Sequence, residues 1–168
     1  MVRLLAILLV TMLAATVFSL SVHGSIGSEL GGLNRQFLGF GLRIGDGTIR
    51  AELNGYIPIS SFSDIPYLDW QAFSVMEIDP TVLLFFQLDQ DLSLYAGVGL
   101  ILLADFRDSL FLLYSDRAFH VKVGINLLLL DFINVFGEVM TIGGLSTGPF
   151  LVGWSGVFSL HAGAGLEF

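Results

Sequence analysis

Strict two-residue alternation constrains this chain more than any other feature. Around the segment SLHAGAGLEF (159–168), Phe158, Leu160, Ala162, Ala164, Leu166 and Phe168 share one parity, while Ser159, His161, Gly163, Gly165 and Glu167 share the other. Successive side chains of a strand point to opposite faces, so this is a strand with one apolar face and one that is polar or bare. A helix would scatter His161 and Glu167 among the apolar positions. The alternation recurs over 20–30, 37–45, 49–59, 92–102, 119–130 and 133–142. With the apolar run 81–88 and a last segment from about 150 to 168, it predicts eight strands. Their connections alternate in length: GGLNRQ, then the tight-hairpin signal Asp46-Gly47; the irregular stretch 60–80, then Asp89-Gln90-Asp91; the charged-ended 104–117, then Asp131-Phe132; and finally GGLSTGP. Long and short connections thus fall on opposite ends of an up-and-down antiparallel sheet. Ten strands are the alternative, if 70–78 and 108–115 both cross as well.

The two faces need two different surroundings. A soluble barrel hides its apolar face and shows charge, but here only 13% of residues are charged, 54% are hydrophobic, and mean hydropathy is +0.81. Soluble domains carry about 25% charge. The polar parity is mostly Gly, Ser, Asn and Tyr, and the apolar parity of the strands carries no charge at all. The apolar face therefore belongs in lipid, and the chain is expected to be an all-β, eight-stranded transmembrane barrel, whose closure leaves no unpaired edge in hydrocarbon. Eight strands leave an interior only wide enough for side chains to fill it.

An ion in so narrow a lumen must find a partner, because desolvation costs several kcal/mol per ion. The polar parity sets Arg43, Arg50 and Lys122 against Glu29, Glu52, Glu138 and Glu167, with His23, His120 and His161 able to compensate. A lumen network is expected from Glu29, Arg43, Arg50, Glu52, Lys122, Glu138, His161 and Glu167. All ten Asp are read as lying at breaks between strands. The net charge of −8 comes with no basic patch, which argues against a nucleic-acid partner. The chain has no cysteine, hence no disulfide or thiolate metal site.

MVRLLAILLVTMLAATVFSLS begins with one early cation, Arg3, followed by an apolar run and then small residues, the layout of a secretory signal peptide. Residues 1–20 are read as that segment, with cleavage after Ser19 or Ser21, and 21–168 as the barrel. The window 139–166 is free of charge and long enough for a helical span. Its glycines at 143, 144, 148, 153, 156, 163 and 165, with Pro149 and a period of two in its second half, make it a poor helix.

Together, the leader, the eight dyad-repeat strands, the alternating connections and the alternating last strand ending on Phe168 resemble the small outer-membrane β-barrels of the OmpA/OmpX type. The resemblance covers residues 20–168 in pattern rather than in close sequence. It implies short turns at the periplasm, long loops outside, outer-membrane lipid around the wall, and a barrel-assembly machinery that reads Phe168 as an insertion signal. The long loops offer a surface for an extracellular partner.

Chemistry-bearing motifs are weak. His23-Gly24-Ser25 has the His-x-Ser spacing of the outer-membrane lipid A deacylases, but both residues lie on the polar parity and are expected to hydrogen-bond in the lumen. The three histidines lie on strands one, six and eight, not all adjacent, so a metal site is not expected; nor is any cofactor. The Gly-x-Gly runs 39–41, 97–99 and 163–165 lack a phosphate-loop Lys and are read as room for bulky lumen neighbours such as Tyr95 and Phe37. Tyr67, Trp70, Tyr114 and Trp154 suit an interfacial girdle. Phe111, Leu112 and Leu113 could pack a loop on the rim, extend a strand or meet a partner. The leading expectation is a non-enzymatic barrel with a structural, adhesive or envelope-stabilising role. The alternatives are a narrow channel for small solutes or ions, opened by the lumen glycines, and a lipid-modifying enzyme.

Overall fold

The computed structural model describes residues 19–31, 34–59, 62, 74–106, 112–114, 118–145 and 152–168. Ten strand segments follow in order: β1 Ser19–Leu30, β2 Gln36–Asp46, β3 Ile49–Ile59, β4 Val75–Gln87, β5 Leu92–Leu100, β6 Leu102–Asp105, β7 Leu112–Tyr114, β8 Ala118–Leu129, β9 Ile133–Leu145 and β10 Val152–Glu167. They make eight staves. β5 and β6 are one stave interrupted at Ile101, and β7 and β8 are another, since β6 pairs with β7 as β5 pairs with β8. All pairings are antiparallel between neighbours, β1 pairs with β10, and β3 with β4, so the sheet closes into an eight-stave barrel.

Alternation in sequence becomes alternation in exposure. Along β1, Ser21, His23, Ser25 and Glu29 are buried, whereas Val22, Ile26 and Leu30 are exposed. The same holds for Arg43 against Leu42 and Ile44, and for Lys122 against Val123. The exterior is thus a band of Leu, Val, Ile and Phe and the interior is mostly polar, an arrangement matched to hydrocarbon outside. The acidity that remains exposed gathers at the turns, on Asp46, Asp89, Asp91 and Asp131. The turn between β2 and β3 is the two residues Gly47-Thr48. Gly47 takes φ +63 at the first position, where a type II′ hairpin wants glycine, and its N–H bonds the Asp46 carboxylate at 2.7 Å.

Three expectations change. β4 starts at Val75, not at Thr81, and runs straight through Asp79-Pro80. Asp79 is therefore a fully buried lumen residue rather than part of a break. Pro80 has no N–H to give a ladder, and the pairing of β4 with β5 and β6 skips from Thr81↔Gly99 to Ile78↔Leu102 across it. Next, Ile57 and Ile59 have lipid-side parity yet are buried, at 0% and 7% exposure. They lie past the last β3–β4 pair, Tyr56↔Glu77. Third, Leu112 and Leu113 continue a stave past the end of β8, so of the three roles open to them they take strand extension. Phe111, Tyr67, Trp70 and residues 1–18 lie outside the described residues. Ser19 and Leu20 already belong to β1, and Leu20 exchanges backbone hydrogen bonds of 3.1 and 2.8 Å with Phe168.

Candidate functional site: a packed lumen

Glu52 is the centre of the interior. It stands directly opposite Arg43 on the β2–β3 ladder, so both side chains enter the lumen at one height. Arg43 Nε and Nη2 donate to Glu52 Oε2 at 2.8 and 2.5 Å, while Lys122 Nζ, from β8 across the barrel, donates to Oε1. Lys122 also faces Glu138 Oε2 at 3.6 Å. Two cations and two carboxylates therefore balance in a space where Arg43 and Lys122 are 2% and 1% exposed. Asn54 donates to Glu52 Oε1 at 2.8 Å, and Tyr95 OH donates to Glu138 Oε2 at 2.8 Å. The Arg43 guanidinium lies 5.0 to 5.6 Å from the ring centres of Tyr95, Phe85 and Phe136, and Phe85 stacks on Tyr95. Ions and rings from β2, β3, β4, β5, β8 and β9 meet at this height.

Glycine is what lets side chains reach past their neighbours. Gly41 lies between His23 on β1 and Asn54 on β3, and the His23 Nε2–Asn54 Oδ1 bond of 2.9 Å passes over it. Gly124 lies between Tyr95 on β5 and Glu138 on β9, with the Tyr95 ring over it. Gly99 likewise separates Thr81 from His120, whose side chains bond at 2.9 Å. A Cβ on any of the three would strike these groups. Each of these three glycine positions is occupied by a neighbour's side chain. Gly124→Val is expected to cost about 1–3 kcal/mol by overpacking against Tyr95. A guanidinium unfolding midpoint equal to the parent's would contradict that.

The remaining expected residues fall into two outlying groups. Towards the long connections, Arg35 Nη2 and Nη1 pair with Glu29 and Glu77 at 2.7 and 2.9 Å, tying β1 to β4 across the mouth. His161 sits below, bonded to Ser159 Oγ at 2.9 Å and tilted against the Tyr56 ring. At the turn end, Arg50 pairs with Glu167 at 3.0 Å, and Ser19 Oγ donates to the same Glu167 oxygen at 2.6 Å. The eight expected residues therefore all face the lumen but form three separate clusters. Sequence reading left out Arg35, Glu77 and Asp79. Glu77, Asp79 and Thr81 do alternate with Ile78, Pro80 and Val82, a signal hidden by the proline.

Thr81, His120 and Asp79 follow one another in the order of a nucleophile, base and acid, with His120 Nδ1 3.6 Å from Asp79 Oδ2. All three are buried, at 4%, 0% and 0% exposure. His23 and Ser25 also face inward and are buried, not lipid-facing as a deacylase pair would be. Among the described residues, no three His, Cys, Asp or Glu are grouped to hold a metal ion.

The fold matches solved membrane barrels. The N-terminal β-barrel domain of Pseudomonas aeruginosa OprF aligns with a TM-score of 0.63 at 10% identity, over 89% of this chain and 97% of that one. Neisserial surface protein A aligns at 0.55 and 12% identity, over 90% and 97%. A de novo designed transmembrane β-barrel aligns at 0.59 and 10% identity, over 89% and 95%. No family model and no curated protein matches the sequence. At this identity the likeness is one of fold: the chain is similar to small eight-stranded outer-membrane barrels, as its alternation implies.

Proposed function

We propose that this chain is a non-enzymatic barrel of the bacterial outer membrane, exported through residues 1–20, with a structural, adhesive or envelope-stabilising role. The observation that carries this reading is the plug formed by Arg43, Glu52, Lys122 and Glu138 with its surrounding rings. A solute would have to break several buried charge-assisted bonds to pass, and each stranded ion would cost several kcal/mol. Planar-bilayer recordings of the refolded chain are the test. The expected record is silent; steady single-channel steps would overturn the reading in favour of a conduit for small solutes or ions. Lipid A taken from cells with and without the protein should show the same acylation by mass spectrometry, and a lost or gained chain would establish an enzyme instead.

The assembly machinery is a proposed partner through Phe168. Phe168 is 67% exposed, so loss of its side chain forfeits little burial and well under the roughly 1.5–3 kcal/mol of a fully buried Phe. Phe168→Ala, which keeps the two backbone bonds to Leu20, is expected to lower outer-membrane levels in cells far more than stability after refolding in detergent. Equal losses in the two assays would leave Phe168 as a wall residue.

A further inference from the structure

The start of β1 and the end of β10 meet at one point. Leu20 N donates to Phe168 O at 3.1 Å, and Phe168 N donates to Leu20 O at 2.8 Å. One residue further in, Ser21 pairs with Glu167 on β10 and with Arg43 on β2. Ser21 is 1% exposed, and its Oγ accepts from Asn134 Nδ2 at 2.6 Å. One residue further out, Ser19 pairs with Gly45 on β2, and its Oγ donates to Glu167.

We propose that the export leader is cut between Ser19 and Leu20, and that the α-ammonium freed on Leu20 clasps Phe168 across this seam. The proposal rests on the export reading and specifies the bond cut and the use of its product. Two bonds have uncharged, mostly small residues at the third and first places before the cut, as a leader peptidase requires. One follows Ser19, with Val17 before it, and the other follows Ser21, with Ser19 before it. The peptidase meets an unfolded chain, so the local sequence allows either. The folded barrel separates their products. A chain starting at Val22 would lack both Leu20–Phe168 bonds and the Ser21 pairs with Arg43 and Glu167. It would also take from Asn134 Nδ2 its Ser21 partner, in a buried side chain whose Oδ1 already has none. A chain starting at Leu20 keeps all of these. It gives up the Ser19–Gly45 pair and the Ser19 bond to Glu167, which still holds Arg50 at 3.0 Å. The leader thus ends one residue before the 1–20 read from sequence.

The step is a hydrolysis by a leader peptidase. The peptide C–N bond between Ser19 and Leu20 breaks. The oxygen of water goes to the Ser19 acyl carbon, which leaves as a carboxylate, and Leu20 keeps an amine that is mostly protonated at neutral pH. The N–H that donated to Phe168 O becomes an ammonium at the same place. A neutral hydrogen bond becomes a charge-assisted one, which is shorter and stronger. The chain's only lysine, Lys122, is 1% exposed and held by Glu52, so the processed barrel carries one accessible amine, on Leu20.

The full chain, expressed with its leader in a Gram-negative host and recovered from the outer membrane, is read by intact mass and by sequencing of its N-terminal peptide. A first residue of Leu20 is expected. A start at Val22, or at any other internal residue, would overturn the assigned bond while export stands. A barrel that still carries the leader, or no barrel in the outer membrane, would refute the export reading itself. The clasp has its own readout. The Leu20 amine of the folded barrel should react with an acetylating reagent about tenfold more slowly than that of the urea-unfolded chain at the same pH. Peptide mapping separates acetylation of Leu20 from that of Lys122. Equal rates for Leu20 in the two states would overturn the clasp and leave the cut alone.

Discussion

Replacing Glu52 with Gln is expected to cost the barrel about 3–5 kcal/mol, the usual penalty for breaking a buried ion pair from one side. Glu52 is 4% exposed and is the partner both of Arg43 and of Lys122. Its loss leaves two cations facing Glu138 alone, with Lys122 still 3.6 Å away from it. Hydration could rescue an exposed guanidinium, but the rings of Phe85, Tyr95 and Phe136 hem Arg43 in. A second change, Lys122→Met, should restore part of the loss by removing the stranded ammonium, so the two changes should be strongly non-additive. Guanidinium unfolding of the refolded barrel in detergent measures both. A loss for Glu52→Gln below about 1 kcal/mol, the range of exposed pairs, would mean that the interior is wet.

Leu42→Arg is expected to cost about 2–4 kcal/mol in a bilayer, because Leu42 is mid-strand on the lipid face, between Val22 and Leu53. A fair comparison is Thr48→Arg, in the exposed turn after β2, which should change little. Asn54, on the polar parity, is no such neutral site. It is 4% exposed and holds both His23 and Glu52, so an Arg there would overpack the lumen. Folded fractions in lipid vesicles, read by heat-modifiable migration, report the difference. Equal yields for Leu42→Arg and Thr48→Arg would contradict the assignment of faces.

The face assignment was legible because one rule sufficed for it. Leu42 must point away from Arg43 in any strand, and a charge-free parity has only lipid to face. Polar parity likewise pointed Arg43, Glu52, Lys122 and Glu138 to the side opposite the apolar wall, but it left out Arg35, Glu77 and Asp79. Which of the lumen residues meet was not legible, because that depends on register and on stagger around the barrel. Arg43 and Glu52 pair across the tight Gly47-Thr48 hairpin, but Lys122 reaches Glu52 across the lumen. The start of β4 was hidden because Pro80 reads as a strand breaker, although its outward position asks only that one ladder bond be given up. Arg35 was hidden because it sits in a break, one residue before β2 begins, with the odd parity of Phe37 and Arg43. The burial of Ile57, past the last β3–β4 pair, is something alternation does not encode.

The seam between β1 and β10 also decides the order in which the barrel can form. Ser21 pairs with Glu167, and Leu20 with Phe168, so this ladder joins the strands most distant in sequence. Every other ladder joins staves adjacent in the chain, so none has to bridge the whole sequence. Hairpins such as β2–β3 can therefore pair early, while the seam must wait for β10. Closing it also takes the ring-wide contacts of Glu167 with Arg50 and Ser19, none of which exists in an open sheet. The barrel should accordingly fold slowly, with high contact order, and its rate should answer to the seam. A circular permutant that links Phe168 to Ser19 and opens the chain at Gly47-Thr48 turns the slowest ladder into a hairpin, and moves the last closure to β2 and β3.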